Sequence, residues 1–240
     1  SSGDYANGCN CRCCCKDQFQ LMSFPLLIFM GSPASNPAEG YTAWYRGDSY
    51  NSGTGVWSDK SANARNLVLG DGTAPGLTSS DSNFNNKPVL TLDGSTQWIE
   101  SAIAVSDLIT TTAHTIYAVF RATAQSAGTF GGAPSPVLYR TIFADSNNGS
   151  APAGGLSLCV ASVLGADLYD GSNEWAQSGA LSLNTTWGMR WYNSGGTHHV
   201  KLNDGAEGSK TTNANSGFAN LQIGRDYQQN TSSSFSGQLA

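Results

Sequence analysis

Charge is scarce in this chain. Only 12% of its 240 residues are charged, and lysine and arginine nowhere form a run. With a net charge of -5 and a pI near 5.0, recognition of a nucleic acid by phosphate neutralisation is excluded. No apolar run reaches the ~18 residues of a membrane-spanning helix, so no span is expected. Glutamate occurs four times and histidine three times. The densest acidic stretch, "GADLYDGSNEW", carries Asp167 and Asp170, which differ in strand parity and so point to opposite faces. It is read as lacking the carboxylate pair that retaining glycosidases hold ~5–5.5 Å apart. His198 and His199 are adjacent, so on a strand they also face opposite ways and do not share a metal. There is no G-x-S-x-G elbow and no P-loop. No segment of ten or more residues combines helical periodicity with caps.

Cysteine is nearly absent from the body of the chain. Five of six (Cys9, Cys11, Cys13, Cys14 and Cys15) crowd into "CNCRCCCKD", leaving Cys159 as a small buried hydrophobe. The crowded spacing is tighter than the C-x₂₋₄-C pairs of zinc sites; metal binding or a crosslink to another chain are the alternatives it leaves. The apolar strip "FPLLIFM" follows, with Phe24, Leu26, Leu27, Ile28 and Phe29, then a Pro/Ser/Ala linker. A strip of this kind is unfavourable in water and packs against something. A secretory leader is a second reading, weakened by Asp17 in its flank. Residues 1–40 are therefore expected to be an extended arm, packed on its own domain or docked on a neighbouring subunit.

What is present from Tyr41 onward is β structure. The 28 glycines, the many Ser, Thr and Asn, and 10% aromatics fit turns and hydroxyl-bearing strand faces, and exclude a disordered chain. Strands are predicted at 87–94, 114–123, 137–145, 155–162, 187–193, 198–205 and 219–226, with "LNDG" as a turn. "HTIYAVFRAT" reads as apolar on both faces, as a central sandwich strand does. The pattern is that of an all-β antiparallel sandwich or jelly roll.

Six blocks in order carry a resemblance. "AWYRGDSYNSGTGVWSDKSANARN", "NKPVLTLDGSTQWIE", "HTIYAVFRAT", "HHVKLNDG", "LQIGR" and "FSGQLA" resemble the laminin-G-like, concanavalin A-like jelly-roll domains over residues 41 to 240. The resemblance implies that Trp44 and Trp57 pack at strand ends, each with a satisfied indole N–H, and that Arg46-Gly47-Asp48 is a turn rather than an integrin ligand. Two departures stand out. The arm has no counterpart in the isolated module, and the family continues past the position of Ala240. Either the polypeptide is longer, or the last strand is short and completed by another element.

Two functions from different classes follow. The first expectation is a non-enzymatic structural surface component, a virion decoration, fibre or surface-filament subunit, joined to other protein subunits through the arm. The alternative is an extracellular carbohydrate-binding adhesion module, with a glycoside hydrolase behind it. Glycan contacts are expected from aromatics outside the core: Trp175, Tyr169, Tyr192 and Tyr227. No cofactor is assigned. A calcium ion, as in some laminin-G-like domains, would take Asp145, Asn147 and Asp170, although "DSNNG" lacks an EF-hand's terminal Glu, its place being taken by Leu156.

Overall fold

The computed structural model describes residues 27–30, 41–70, 72–109, 113–124, 140–146, 157–160, 166–169, 175–178, 181–211, 220–225 and 234–240. In chain order the strands are β1 (Leu27–Met30), β2 (Tyr41–Tyr45), β3 (Tyr50–Asn51), β4 (Val56–Trp57), β5 (Val68–Leu69) and β6 (Gly76–Asp81). Then come β7 (Lys87–Asp93), β8 (Ile99–Ala104), β9 (Ala113–Ala122), β10 (Arg140–Ser146), β11 (Ser157–Val160) and β12 (Ala166–Tyr169). The last six are β13 (Trp175–Gln177), β14 (Trp187–Ser194), β15 (Thr197–Leu202), β16 (Glu207–Thr211), β17 (Asn220–Ile223) and β18 (Ser236–Leu239).

One sheet runs β16-β15-β14-β9-β18-β7-β6, and the facing sheet runs β13-β12-β11-β10-β17-β8-β5. All named strand pairs are antiparallel. The fold is the antiparallel jelly-roll sandwich that the strand spacing predicts. Phe143 of β10 meets Trp191 of β14 at 5.9 Å between ring centroids, so the two sheets touch through fully buried aromatics. Burial of a side chain such as Phe143 contributes about 1.5–3 kcal/mol. β9 differs from its prediction. His114, Ile116, Ala118, Phe120 and Ala122 are buried, while Thr115, Tyr117, Val119 and Arg121 are half-buried on the other face. That alternation shows one face turned to the core.

The opening motif is structural. Asp59 accepts the backbone N–H of Trp44, Ser61 and Arg65 and the Ser61 hydroxyl, so one carboxylate closes the loop between β4 and β5. Trp57 is fully buried and its indole donates to the Arg46 carbonyl at 2.6 Å. Trp44 departs from its expectation: it is half-buried, and its indole N–H has no hydrogen-bond partner among the described residues. Arg46 precedes a 3-10 turn over Gly47–Ser49, and its guanidinium is paired with Asp48 at 2.6 Å. The tripeptide is thus a self-bonded turn.

The apolar strip has a place in this sheet. β1 pairs with β2 on one side, Ile28 opposite Trp44, and with β9 on the other, Ile28 opposite Tyr117. β18 pairs with the same edge of β9 over Phe120–Ala122, and Ala240 donates to the Val119 carbonyl. β1 therefore continues the lane that β18 occupies. Leu27, Ile28 and Phe29 are backbone-paired within the chain's own sheet. Cys9 to Cys15, Phe24 and Leu26 lie outside the described residues.

Candidate binding face on the outer sheet

β14, β15 and β16 form a meander whose alternation decides which side chains reach the outer face. Met189, Trp191 and Asn193 of β14, and His198, Val200 and Leu202 of β15, are buried. Arg190 and Tyr192, and Thr197, His199 and Lys201, take the opposite face. The turns fix the register. At one end Gly195 and Gly196 adopt positive φ, 62° and 85°, and the Gly196 N–H donates to Asn193 Oδ1 at 3.0 Å. At the other, Asn203 takes φ 45° and its Oδ1 accepts the Gly188 N–H at 2.7 Å. This register sets Tyr192 opposite His199, Arg190 opposite Lys201, and Lys201 opposite Glu207.

The result is a convergent polar cluster. The Tyr192 and His199 rings stack in parallel, 4.3 Å apart with 1° between planes, and the Arg190 guanidinium lies 4.8 Å from the Tyr192 centroid. All three point donors at one carboxylate. Tyr192 Oη and His199 Nδ1 both reach Glu207 Oε1 at 3.0 Å, and Arg190 Nη2 donates to Oε2 at 3.1 Å. Burial alone would raise the Glu207 carboxyl, but the hydrogen bonds from Tyr192, His199 and Arg190 outweigh it and hold it below the ordinary range. Burial and the Glu207 carboxylate raise the Tyr192 phenol, which keeps it a neutral donor. The cluster remains open to water, with Arg190, Glu207 and His199 side chains 41%, 30% and 21% exposed.

The same face continues across the sheet. Tyr117 of β9 stands opposite Arg190, and Thr115 opposite Tyr192. Beyond β1 comes Trp44, with Tyr41 at 5.5 Å between centroids and Arg46 at 5.6 Å from its ring. Below that end, Arg46, Asp48, Asn86, Lys87 and Pro88 line a cleft of about 230 Å³.

Of the aromatics expected to touch a glycan, Tyr192 belongs to this cluster. Tyr169 and Trp175 are opposite one another at the β12–β13 edge of the facing sheet, and Tyr227 lies outside the described residues. Of the calcium candidates, Asp145 is in β10 opposite Leu221, and Asn147 and Asp170 lie outside the described residues. No group of three or more His, Cys, Asp or Glu able to hold a metal occurs among the described residues. His198 and His199 do face opposite ways. Arg190, His199 and Glu207 were not selected from sequence. The usable signal was parity: counting two residues back from Tyr192 gives Arg190, and the "LNDG" turn sets the strand that carries Glu207 beside His199.

Solved structures share this architecture. A Trypanosoma rangeli sialidase in complex with a difluoro-KDN matches with a TM-score of 0.54 at 11% identity, over 91% of this chain and 34% of that one. The same organism's sialidase with sialic acid gives 0.51 at 10% identity, over 90% and 30%. The CBM40 of a Ruminococcus gnavus IT-sialidase bound to α2,3-sialyllactose gives 0.41 at 11% identity, over 52% and 71%. The chain thus spans about a third of the sialidases it resembles. No family model matches it, and no curated protein does.

These likenesses correct one expectation. The chain was read as non-enzymatic, yet its fold recurs over nine-tenths of its length within chains of sialidases. The architecture gives no ground for excluding catalysis, and that exclusion is withdrawn. No helix among the described residues is long and apolar enough to cross a membrane.

Proposed function

We propose that this chain is a carbohydrate-binding β-sandwich of laminin-G-like type, acting outside the cell or on a particle surface, with its ligand on the outer face of β14–β16. One observation carries the reading: a guanidinium, a phenol, an imidazole and a carboxylate converge on an open sheet face, rigidly stacked and half-solvated. Sugars are bound by such sets, since hydroxyls need both donors and acceptors and a scaffold that pays little to order them. Tyr117 and Trp44 extend the face with aromatic surface. The fold shared with sialidase chains is compatible with a role in glycan recognition beside or within a glycan-processing protein. This reading is preferred to the structural-subunit expectation, and Leu27–Met30 of its docking strip pair within the chain's own sheet.

A glycan array probed with the full chain, with and without calcium, tests it. Tyr192→Ala should lower affinity for the bound glycan about tenfold or more while the fold is retained, as expected for one stacked, hydrogen-bonding contact. Binding that survives Tyr192→Ala but is lost in Trp175→Ala would move the site to the β12–β13 edge. No binding on any array sinks the reading.

A further inference from the structure

Glu207 occupies its site in an unusual way for a surface acidic residue. It is the first residue of β16, which among the described strands lies at the sheet edge and pairs with β15. Its two oxygens take three donors from three positions, Arg190, Tyr192 and His199. The donors are held without it: Tyr192 and His199 stack on each other, and Arg190 lies on the Tyr192 ring. Cationic charge is also in excess there. Lys201 stands between Arg190 and Glu207 in the same row, and no carboxylate among the described residues lies within ion-pair distance of it. The chain as a whole is net negative, so this excess is local.

We infer that Arg190, Tyr192 and His199 form a recognition site for the carboxylate of an acidic glycan, and that Glu207 is a tethered occupant which the ligand displaces. The inference rests on the glycan-binding reading and specifies its ligand. A carboxylate in this cradle receives one guanidinium bond on one oxygen and two neutral or charge-assisted bonds on the other, the arrangement Glu207 already displays. The low protonation tendency of Glu207 reflects how well the cradle suits a carboxylate. Displacement is easy because exposed ion pairs contribute little to stability, and Glu207 needs only a side-chain rotation at a solvent-facing edge. Once it leaves, Lys201 keeps Glu207 as a counter-charge nearby, and the ligand's remaining hydroxyls meet Tyr117 and Thr115 along the sheet.

The test uses two matched pairs of probes on the full chain: 3′-sialyllactose against lactose, and trigalacturonate against its methyl ester. Titration calorimetry should show at least one acidic member binding about tenfold tighter than its neutral counterpart. Glu207→Ala should tighten that acidic binding severalfold, with Glu207→Gln giving a smaller gain because it keeps an acceptor but loses the charge. Arg190→Ala should abolish the preference. Circular dichroism of all three variants should match the parent, since the cluster lies outside the core. Equal binding of acidic and neutral members would overturn the carboxylate site and leave glycan binding intact. Weaker acidic binding in Glu207→Ala would make Glu207 a ligand contact rather than an occupant. No binding of any probe by any variant, together with an empty array, would remove both readings.

Discussion

Gly47 sits where no side chain fits: a Cβ there would collide with the Pro88 carbonyl oxygen. Gly47→Ala must therefore push the turn over Gly47–Ser49 away from β7, and the usual overpacking cost of about 1–3 kcal/mol is expected in urea unfolding. Asp93 makes a second residue-level case. Its carboxylate accepts the N–H of Ser95, Thr96 and Gln97 and the Thr96 hydroxyl. Burial alone would raise it, but the Thr96 and Ser95 hydrogen bonds hold it far below the ordinary carboxyl value. The folded chain then keeps this group ionised where the unfolded chain would protonate it. Its contribution is complete above about pH 4 and fades as pH falls toward the folded value. Asp93→Asn should flatten the acid limb of a stability–pH curve, and an unchanged limb would count against the turn's role. In the sequence Gly47 was visible only as part of a turn, and Asp93 only as a member of a block that resembles the family. What they bond to is set by chain segments far away.

At the level of the element, alternation made the strands of the sandwich readable. β7, β9 and β14 fall within a residue of their predicted spans, and β15 ends three residues before its predicted end, where the "LNDG" turn takes over. β1 was not readable as a sheet member, because "LIFM" is apolar throughout and carries no face. Only its register with β2 and β9 shows what it does. Removing residues 1–30 should consequently leave the β2 side of β9 open over Thr115–Tyr117. An exposed, flat, partly aromatic edge of this kind pairs with other chains. The shortened protein is expected to form soluble aggregates or dimers on size-exclusion chromatography. A well-behaved monomer would show that β1 is dispensable. The same logic explains the candidate site: Tyr192 was legible as an aromatic outside the core, whereas Glu207 joined it only through a hairpin register that spacing alone left open.

Across the whole molecule, the two ends of the described chain converge on one strand. β9 receives β14 along one edge, and along the other it receives β18 and β1 in a single lane. A segment that precedes β9 in the sequence and one that follows it are thus co-tenants of the central sheet. During synthesis the early hairpin of β1 and β2 can wait, but β9 stays half-paired until residues 236–239 have left the ribosome. Long-range closure of this kind slows folding. It also makes residues 236–239 a checkpoint, since a nascent chain halted before them holds its central strand still unlatched.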